Sequence, residues 1–450
     1  MSSETHTSAS TPRPDALSEG DRHPDRLTPG ARRALIASTV GTIIEWFDYA
    51  LYGMAAALII TPLFFPDSLS GAGDMAAFAT FAVGFIARPI GGVIISHIGD
   101  RYGRRPALVL TIALMGLATV GIGLLPTAET LGIWAPALLV VLRILQGFGA
   151  GAELAGAMTV VAEFAPPKRR GFYTSIVLAA PPAGGLLATL AFLSVSSLPT
   201  ETLLGWAWRV PFLASGVLFF IALWIREKMG ETPEFQAVLD KQEERRHESV
   251  PLGALLRSSW RQVLTGFFAI TGHNVNYYLL ATFSVSFLIR NAGMDRTEAI
   301  ILVSIGSFLG MVMTPAGGML TDRYGARKVM IVGMGVGALY AYPLFMALAS
   351  GNVAAIVAMF AVGFGFILMT TSAPQGALLT GLFPAEYRYS GVAVARELNG
   401  VAAAGTAPII AAALVAANDG GITYAAGYMV FAFLVSFIAL IVARNADRVA

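Results

Sequence analysis

Apolar residues along the chain gather into long runs broken by short polar stretches. The runs lie near 35–63, 75–99, 106–126, 134–164, 172–197, 207–227, 262–290, 298–320, 329–348, 353–381, 389–416 and 422–443. A helix needs about 20 apolar residues to cross a bilayer, so this pattern predicts twelve membrane-spanning helices and no strands. Only one long charged connection interrupts them after the start, from Arg226 to Arg257, with KQEERRHES at 241–249. It lies between the sixth and seventh runs. The expected organisation is a tail at 1–33, a six-helix bundle at 34–228, a central loop at 229–260, a second bundle at 261–444 and a short tail at 445–450. The first tail is rich in Ser, Thr, Pro and Asp and holds too few large apolar side chains to order itself. Nothing resembling a signal-peptide cleavage site follows it, so the first helix is expected to remain as an anchor.

The second half repeats the first. GGVIISHIGDRYGRR at 91–105 returns as GGMLTDRYGARK at 317–328, and FAPPKRRGFYTS from Phe164 returns as FPAEYRYSGVA from Phe383. Both pairs are offset by about 220 positions, half the chain, as expected of a duplicated six-helix unit. Such duplication is how secondary transporters place a substrate site between two rocking halves.

Composition narrows the class. Hydrophobic residues make up 56% and charged residues 13%, with a mean hydropathy of +0.68. A soluble chain carries about 25% charge, so the solvent here is lipid. With no cysteine, disulfides, iron–sulfur clusters and thiolate zinc sites are excluded. A net charge of +2 leaves no basic stripe for nucleic acid once loop arginines and lysines are assigned to topology. Those residues cluster in the tails, the central loop and the loops after the even-numbered runs, while the opposite loops hold only Arg290 and Arg296. By the positive-inside rule both termini are cytoplasmic.

Some ionisable residues fall in the middle of runs, where a lone charge costs at least a few kcal/mol. Glu45 lies twelve residues past Arg33, about 18 Å of helix rise, so Glu45 and Asp48 sit near mid-bilayer. Arg88 lies twelve residues before Asp100, at the same depth, and pairing across the first two helices is the expected remedy. Asp48 shares a helix face with Tyr52 at i,i+4 and with Glu45 at i,i+3. Two carboxylates this close in low dielectric favour keeping one protonated, which suits a proton switch. A static ion pair for packing is the alternative. On the fourth run Arg143, Gln146, Gly147 and Glu153 continue the polar pattern. On the seventh, His273, Asn274, Asn276, Tyr277 and Tyr278 form a polar and aromatic cluster facing a cavity or another helix. The tenth offers Thr370, Thr371, Ser372 and Gln375 around Pro374, a helix break. The eleventh carries Arg396, Glu397 and Asn399. A cation in each half, Arg88 and Arg396, suits an organic carboxylate by bidentate pairing, unless Glu397 neutralises Arg396 internally.

The loop after the second run, Gly92, Asp100, Arg101, Gly103 and Arg104, with its echo Asp322, Arg323 and Gly325, resembles the loop signature of the major facilitator superfamily. GTIIEWFDYALYG (41–53), FAVGFIARPIGG (81–92), RILQGFGAGAE (143–153), GWAWRVPFL (205–213) and REKMGETPEF (226–235) narrow the resemblance to its metabolite:proton symporter branch. The likeness runs from about 33 to 443. It implies an all-α membrane protein in the major facilitator fold, twelve transmembrane helices in two pseudo-symmetric six-helix bundles. It also implies a gating role for the two loops and proton coupling for the Arg143 segment. The acidic position reads Gly151-Ala152-Glu153-Leu154, where most relatives carry an aromatic after the acid, and that departure weakens any transfer of substrate.

The expected activity is proton-driven symport of a small polar organic metabolite across the cytoplasmic membrane, a carboxylate such as shikimate or a keto- or dicarboxylic acid. Proton coupling falls to Glu45, Asp48, Arg143 and Glu153. Substrate contact falls to Tyr52, Arg88, His273, Asn276, Tyr277, Gln375 and Arg396. The alternatives are a zwitterion symporter for proline or betaine and a proton-coupled exporter, the latter because APPAGG at 180–185 resembles part of an antiporter motif. No nucleophile, metal cluster or phosphate loop marks an enzyme, no cofactor is expected, and a monomer is the expected working unit. GFGAGA (147–152) and GMGVGA (333–338) lie inside apolar helices and read as helix-contact glycines rather than dinucleotide loops. No Walker A motif is present, so ATP does not drive the cycle.

Overall fold

A computed structural model describes residues 27, 29–65, 72–102, 104–150, 153–229, 252–384 and 388–443. Gly103, most of the first tail, the body of the central loop and the last tail lie outside the described residues, as do the side chains of Asp100, Arg101, Arg104 and Glu153.

Among the described residues the chain forms helices and no strand, as a backbone in lipid must satisfy its own hydrogen bonds. The long helical segments are α1 (29–64), α2 (Ala72–Tyr102), α3 (Arg104–Leu124), α4 (Trp134–Gly149 and Glu153–Phe164), α5 (Arg170–Leu178 and Ala180–Ser196) and α6 (200–229). In the second half they are α7 (252–290), α8 (Arg296–Tyr324), α9 (Ala326–Ser350), α10 (Val353–Leu382), α11 (Arg388–Ala416) and α12 (Thr423–Val442). Nine of the described helices are long and apolar enough to cross a membrane on their own, and α6 makes ten if its bent pair counts as one span. α7 falls short because His273, Asn274 and Asn276 dilute its apolar run. α7 also starts earlier than the sequence pattern suggests, at Leu252, and Ser259 (φ −131°) kinks it where the charged segment gives way to the apolar one.

Packing follows the repeat. α1 lies along α5 as α7 lies along α11, α2 along α4 as α8 along α10, and α3 along α6 as α9 along α12. Local irregularities repeat too: wide π-turns interrupt α1 at Ala56–Ile60 and α7 at Leu279–Phe283, at nearly the interval of the two loop motifs. Such turns re-aim the backbone without a proline. The two bundles meet along α5 with α8 and α2 with α11. Glycine permits the closest approach: Gly318 of α8 sits against Gly171, Phe172 and Ser175 of α5, where a Cβ would collide.

Candidate functional site

The buried charges sort into two networks. The first lies wholly within the first bundle. Asp48 of α1 is fully buried, and Gln146 Nε2 of α4 donates to its Oδ2. The Thr119 hydroxyl of α3 contacts the other carboxylate oxygen and also lies 2.9 Å from the Met115 carbonyl. Gln146 Nε2 donates to Thr119 Oγ1 at 2.9 Å as well, and Gln146 Oε1 accepts from Arg143. Arg143 is fully buried, donating to the Thr80 and Phe81 carbonyls at 3.3 and 3.0 Å and lying 3.9 Å over the Tyr52 ring. The Thr119 hydroxyl has a single hydrogen to give. If it points to Asp48, that carboxyl oxygen accepts, as an ionised carboxylate does. If it points to Met115, Asp48 must donate instead and is protonated. The cluster therefore offers two hydrogen-bond settings that differ by one proton.

The second network crosses the seam between bundles. Arg88 of α2 pairs with Glu45 of α1 at 3.0 Å and with Glu397 of α11 at 3.2 Å. Beside Glu397, Arg396 Nη1 donates to Gln375 Oε1 of α10 at 2.8 Å. Gln375 begins the helix that resumes after a break at Ser372–Pro374. His273 Nδ1 lies 3.0 Å from Thr371 Oγ1, and Asn274 donates to Asn399 at 2.5 Å.

Between these networks stands Tyr49, with Arg88 5.0 Å and Arg143 5.5 Å from its ring centre. Its ring also lines a narrow crevice together with Trp46, Phe81, Tyr277, Tyr278, Thr282 and Ser307, drawn from both bundles. Three of its lining groups have buried polar atoms without a partner among the described residues: Trp46 Nε1, Tyr49 OH and Tyr278 OH; the Asn276 amide, outside this lining, is a fourth such group. Polar groups of this kind on a cavity wall can hydrogen-bond a polar molecule that enters it.

Among the described residues, contacts bridge the seam at both ends. At the end where α1 begins, Asp322 of α8 accepts from the Gly171 and Phe172 amides of α5 at 2.6 and 3.0 Å, capping a helix of the other bundle. Gly325 then turns the chain at φ +88°, a conformation that favours glycine. At the opposite end Arg290 pairs with Asp74 at 2.6 Å, and Arg296 donates to the Ser196 and Leu198 carbonyls at 3.0 and 2.9 Å.

The structure thus brings Glu45, Arg88, Gln375 and Arg396 to the seam and Asp48 to a separate network with Arg143. Tyr277 lines the cavity and donates across the seam to the Pro181 carbonyl at 2.9 Å. Tyr52 lies apart from the cavity lining, fully buried, with its hydroxyl 2.6 Å from Thr80 Oγ1. Arg323 lies 5.2 Å over Tyr324, and beside Gly92 it is Gly91 that packs on the Phe148 backbone. Thr119, Glu397, Asp74 and Arg290 were not singled out as site residues from sequence. A hydroxyl in an apolar helix gives no signal of its own, whereas Glu397 shows itself only as a neighbour of Arg396.

Two symmetry-related helical bundles enclosing a buried polar seam, bridged at both ends, make a multi-pass membrane transporter rather than an enzyme. The Major Facilitator Superfamily model matches residues 39–405. The shikimate transporter of Escherichia coli (strain K12) is 37% identical over 432 residues, covering 93% of this chain and 95% of that protein. The proline/betaine transporter of the same organism is 34% identical over 396 residues, covering 86% of this chain and 78% of that one. Among solved structures, the xylose transporter XylE from E. coli in a partially occluded inward open conformation aligns with a TM-score of 0.68 at 19% identity, over 92% of this chain and 97% of that one. The chain belongs to the Major Facilitator Superfamily.

Proposed function

We propose that the protein imports a small organic carboxylate together with protons, by alternating access across a cytoplasmic membrane with both termini inside. The observation that carries this reading is the charge cluster at the seam: Glu45, Arg88, Glu397 and Arg396 place two guanidinium groups where the bundles meet. Guanidinium recognises carboxylates through paired N–H groups. The name of the 37% identical relative, a shikimate transporter, supports the same substrate class.

Asp48 is our candidate for the driving proton, because Thr119 can serve its ionised and its protonated form alike. Arg143 and Gln146 hold it in place. Glu45, paired directly with Arg88, acts in the seam instead. Neutralising a buried carboxylate changes which bundle arrangement is favoured, which is a coupling free energy between sites. A membrane potential near 100 mV adds about 2.3 kcal/mol per charge moved inward.

The glycines of the APPAGG segment, which favoured an exporter, have a packing role: Gly184 sits on the α1 backbone at Trp46 and Phe47. The test is uptake into proteoliposomes under an inward proton gradient, with shikimate, 2-oxoglutarate and glycine betaine compared. Gradient-driven accumulation of an acid supports the reading. Accumulation of betaine alone, or proton-driven efflux alone, refutes it.

A further inference from the structure

Glu397 holds Arg88 in a particular way. One carboxylate oxygen lies 3.2 Å from Nε and the other 3.5 Å from Nη2, so the side edge of the guanidinium is gripped by two oxygens. That is the fork by which arginine binds any carboxylate. The two acids on Arg88 are not equivalent. Glu45 belongs to the same bundle as Arg88 and its side chain is 2% exposed, whereas Glu397 comes from the opposite bundle and keeps 16% of its surface. Glu397 is the partner that can leave.

With Glu45 and Glu397 ionised, the cluster of two acids and two arginines is neutral. An anionic ligand added to it would bury an uncompensated negative charge, at a cost of several kcal/mol. Neutrality returns if one acid takes up a proton.

We infer that Glu397 is a built-in occupant of the place on Arg88 meant for the ligand's carboxylate, displaced by that carboxylate as Glu397 takes up one proton. This rests on the carboxylate reading above. The proton comes from the aqueous phase, the only covalent bond formed is the O–H of Glu397, and the cluster ends as Arg88, Arg396, Glu45 and the ligand anion, again neutral. Groups facing Glu397 are Arg88, with Glu45 and Tyr49 of α1 beyond it, and Arg396 on its own helix; Tyr278 of α7 stands near Arg88 and Arg396, and His273 near Arg396. α4 also packs on α11 through Glu153–Phe164, where the Glu153 side chain lies outside the described residues. The device makes binding of the acid itself proton-dependent, separately from Asp48.

The test uses the purified full chain in weakly buffered detergent with a pH-indicator dye, and shikimate as probe at pH 7.5. Wild type should take up about one proton for each shikimate bound through this exchange. Glu397→Gln should lose that proton and bind shikimate about tenfold or more tightly, with affinity no longer falling as pH rises, because the competing anion is gone. Glu397→Asp covers a glutamine variant that fails to fold: its shorter acid should still take up the proton yet compete less well, giving tighter binding than wild type. Wild-type proton uptake and affinity in Glu397→Gln, or wild-type affinity in Glu397→Asp, would overturn the inference alone. Failure of wild type to bind either shikimate or 2-oxoglutarate would remove the carboxylate reading and this inference with it.

Discussion

Replacing Asp322 with alanine removes a helix cap that ties one bundle to the other. The carboxylate accepts two backbone amides at the start of α5, and both bonds exist only while α8 and α5 are together. Loss of such a cap costs about 0.5–2 kcal/mol. Because the whole cost falls on the closed arrangement, the population open at the α1-start end should rise roughly 2–30-fold. The chain has no cysteine, so a single reporter can be placed without background. Ser175, fully buried at this seam beside Gly318, is the position for it. Maleimide should label Ser175→Cys several times faster when Asp322→Ala is added. Asp295→Ala is the control, since Asp295 caps the start of its own helix α8 through the Thr297 and Glu298 amides and, among the described residues, makes no hydrogen bond to the other bundle. Equal labelling with and without Asp322→Ala, or equal acceleration by Asp295→Ala, would refute the claim that this cap holds the end shut.

Other outcomes follow from the same geometry. Asp48→Asn should retain shikimate exchange in counterflow while losing accumulation driven by a pH gradient; full accumulation would remove Asp48 from the coupling step. Arg88→Met removes the one guanidinium that both Glu45 and Glu397 contact and leaves the two acids with only Arg396 near them, at a cost of about 3–5 kcal/mol. Its thermal stability in detergent should therefore fall and be largely recovered in Arg88→Met/Glu45→Gln/Glu397→Gln, whereas an unchanged Arg88→Met would show that the trio is not coupled. Gly317→Val should fail to assemble stably, because a side chain there meets the Met369 carbonyl of α10; normal expression and a monodisperse elution profile would contradict that close contact. Arg290→Ala acts on a pair whose arginine is 37% exposed, so its effect on closure of the far end should be only about 0.2–1 kcal/mol, a few-fold in labelling.

Much of this site could be read from the chain because depth in a membrane helix is arithmetic. Rise per residue sets Glu45 and Arg88 at one level, and the structure joins them at 3.0 Å. Azimuth is not arithmetic. Glu45 and Asp48, three residues apart, point to different neighbours because α3 and α4 supply Thr119 and Gln146 to one and α2 and α11 supply Arg88 and its second acid to the other. Only assembled packing decides that. The repeat motifs likewise mark both loops, yet that Asp322 caps α5 of the opposite bundle depends on Gly318 letting the helices touch. The pairing of Asp74 with Arg290 joins residues from two separate helix ends, and neither sits in a repeated motif. The early start of α7 was hidden because Leu252–Ser258 is helical outside the apolar run, and the kink at Ser259 separates the two.

The central claim is that inward proton movement powers concentrative uptake of an organic acid. Static-head accumulation of shikimate in proteoliposomes tests it most directly, with membrane potential clamped at zero and a pH gradient of one unit, acidic on the side outside the cell. One pH unit is worth about 1.36 kcal/mol for each net proton, so the account predicts about tenfold accumulation of total shikimate per coupled proton, abolished by a protonophore. An internal concentration that only equals the external one, gradient present and protein active in exchange, would contradict it.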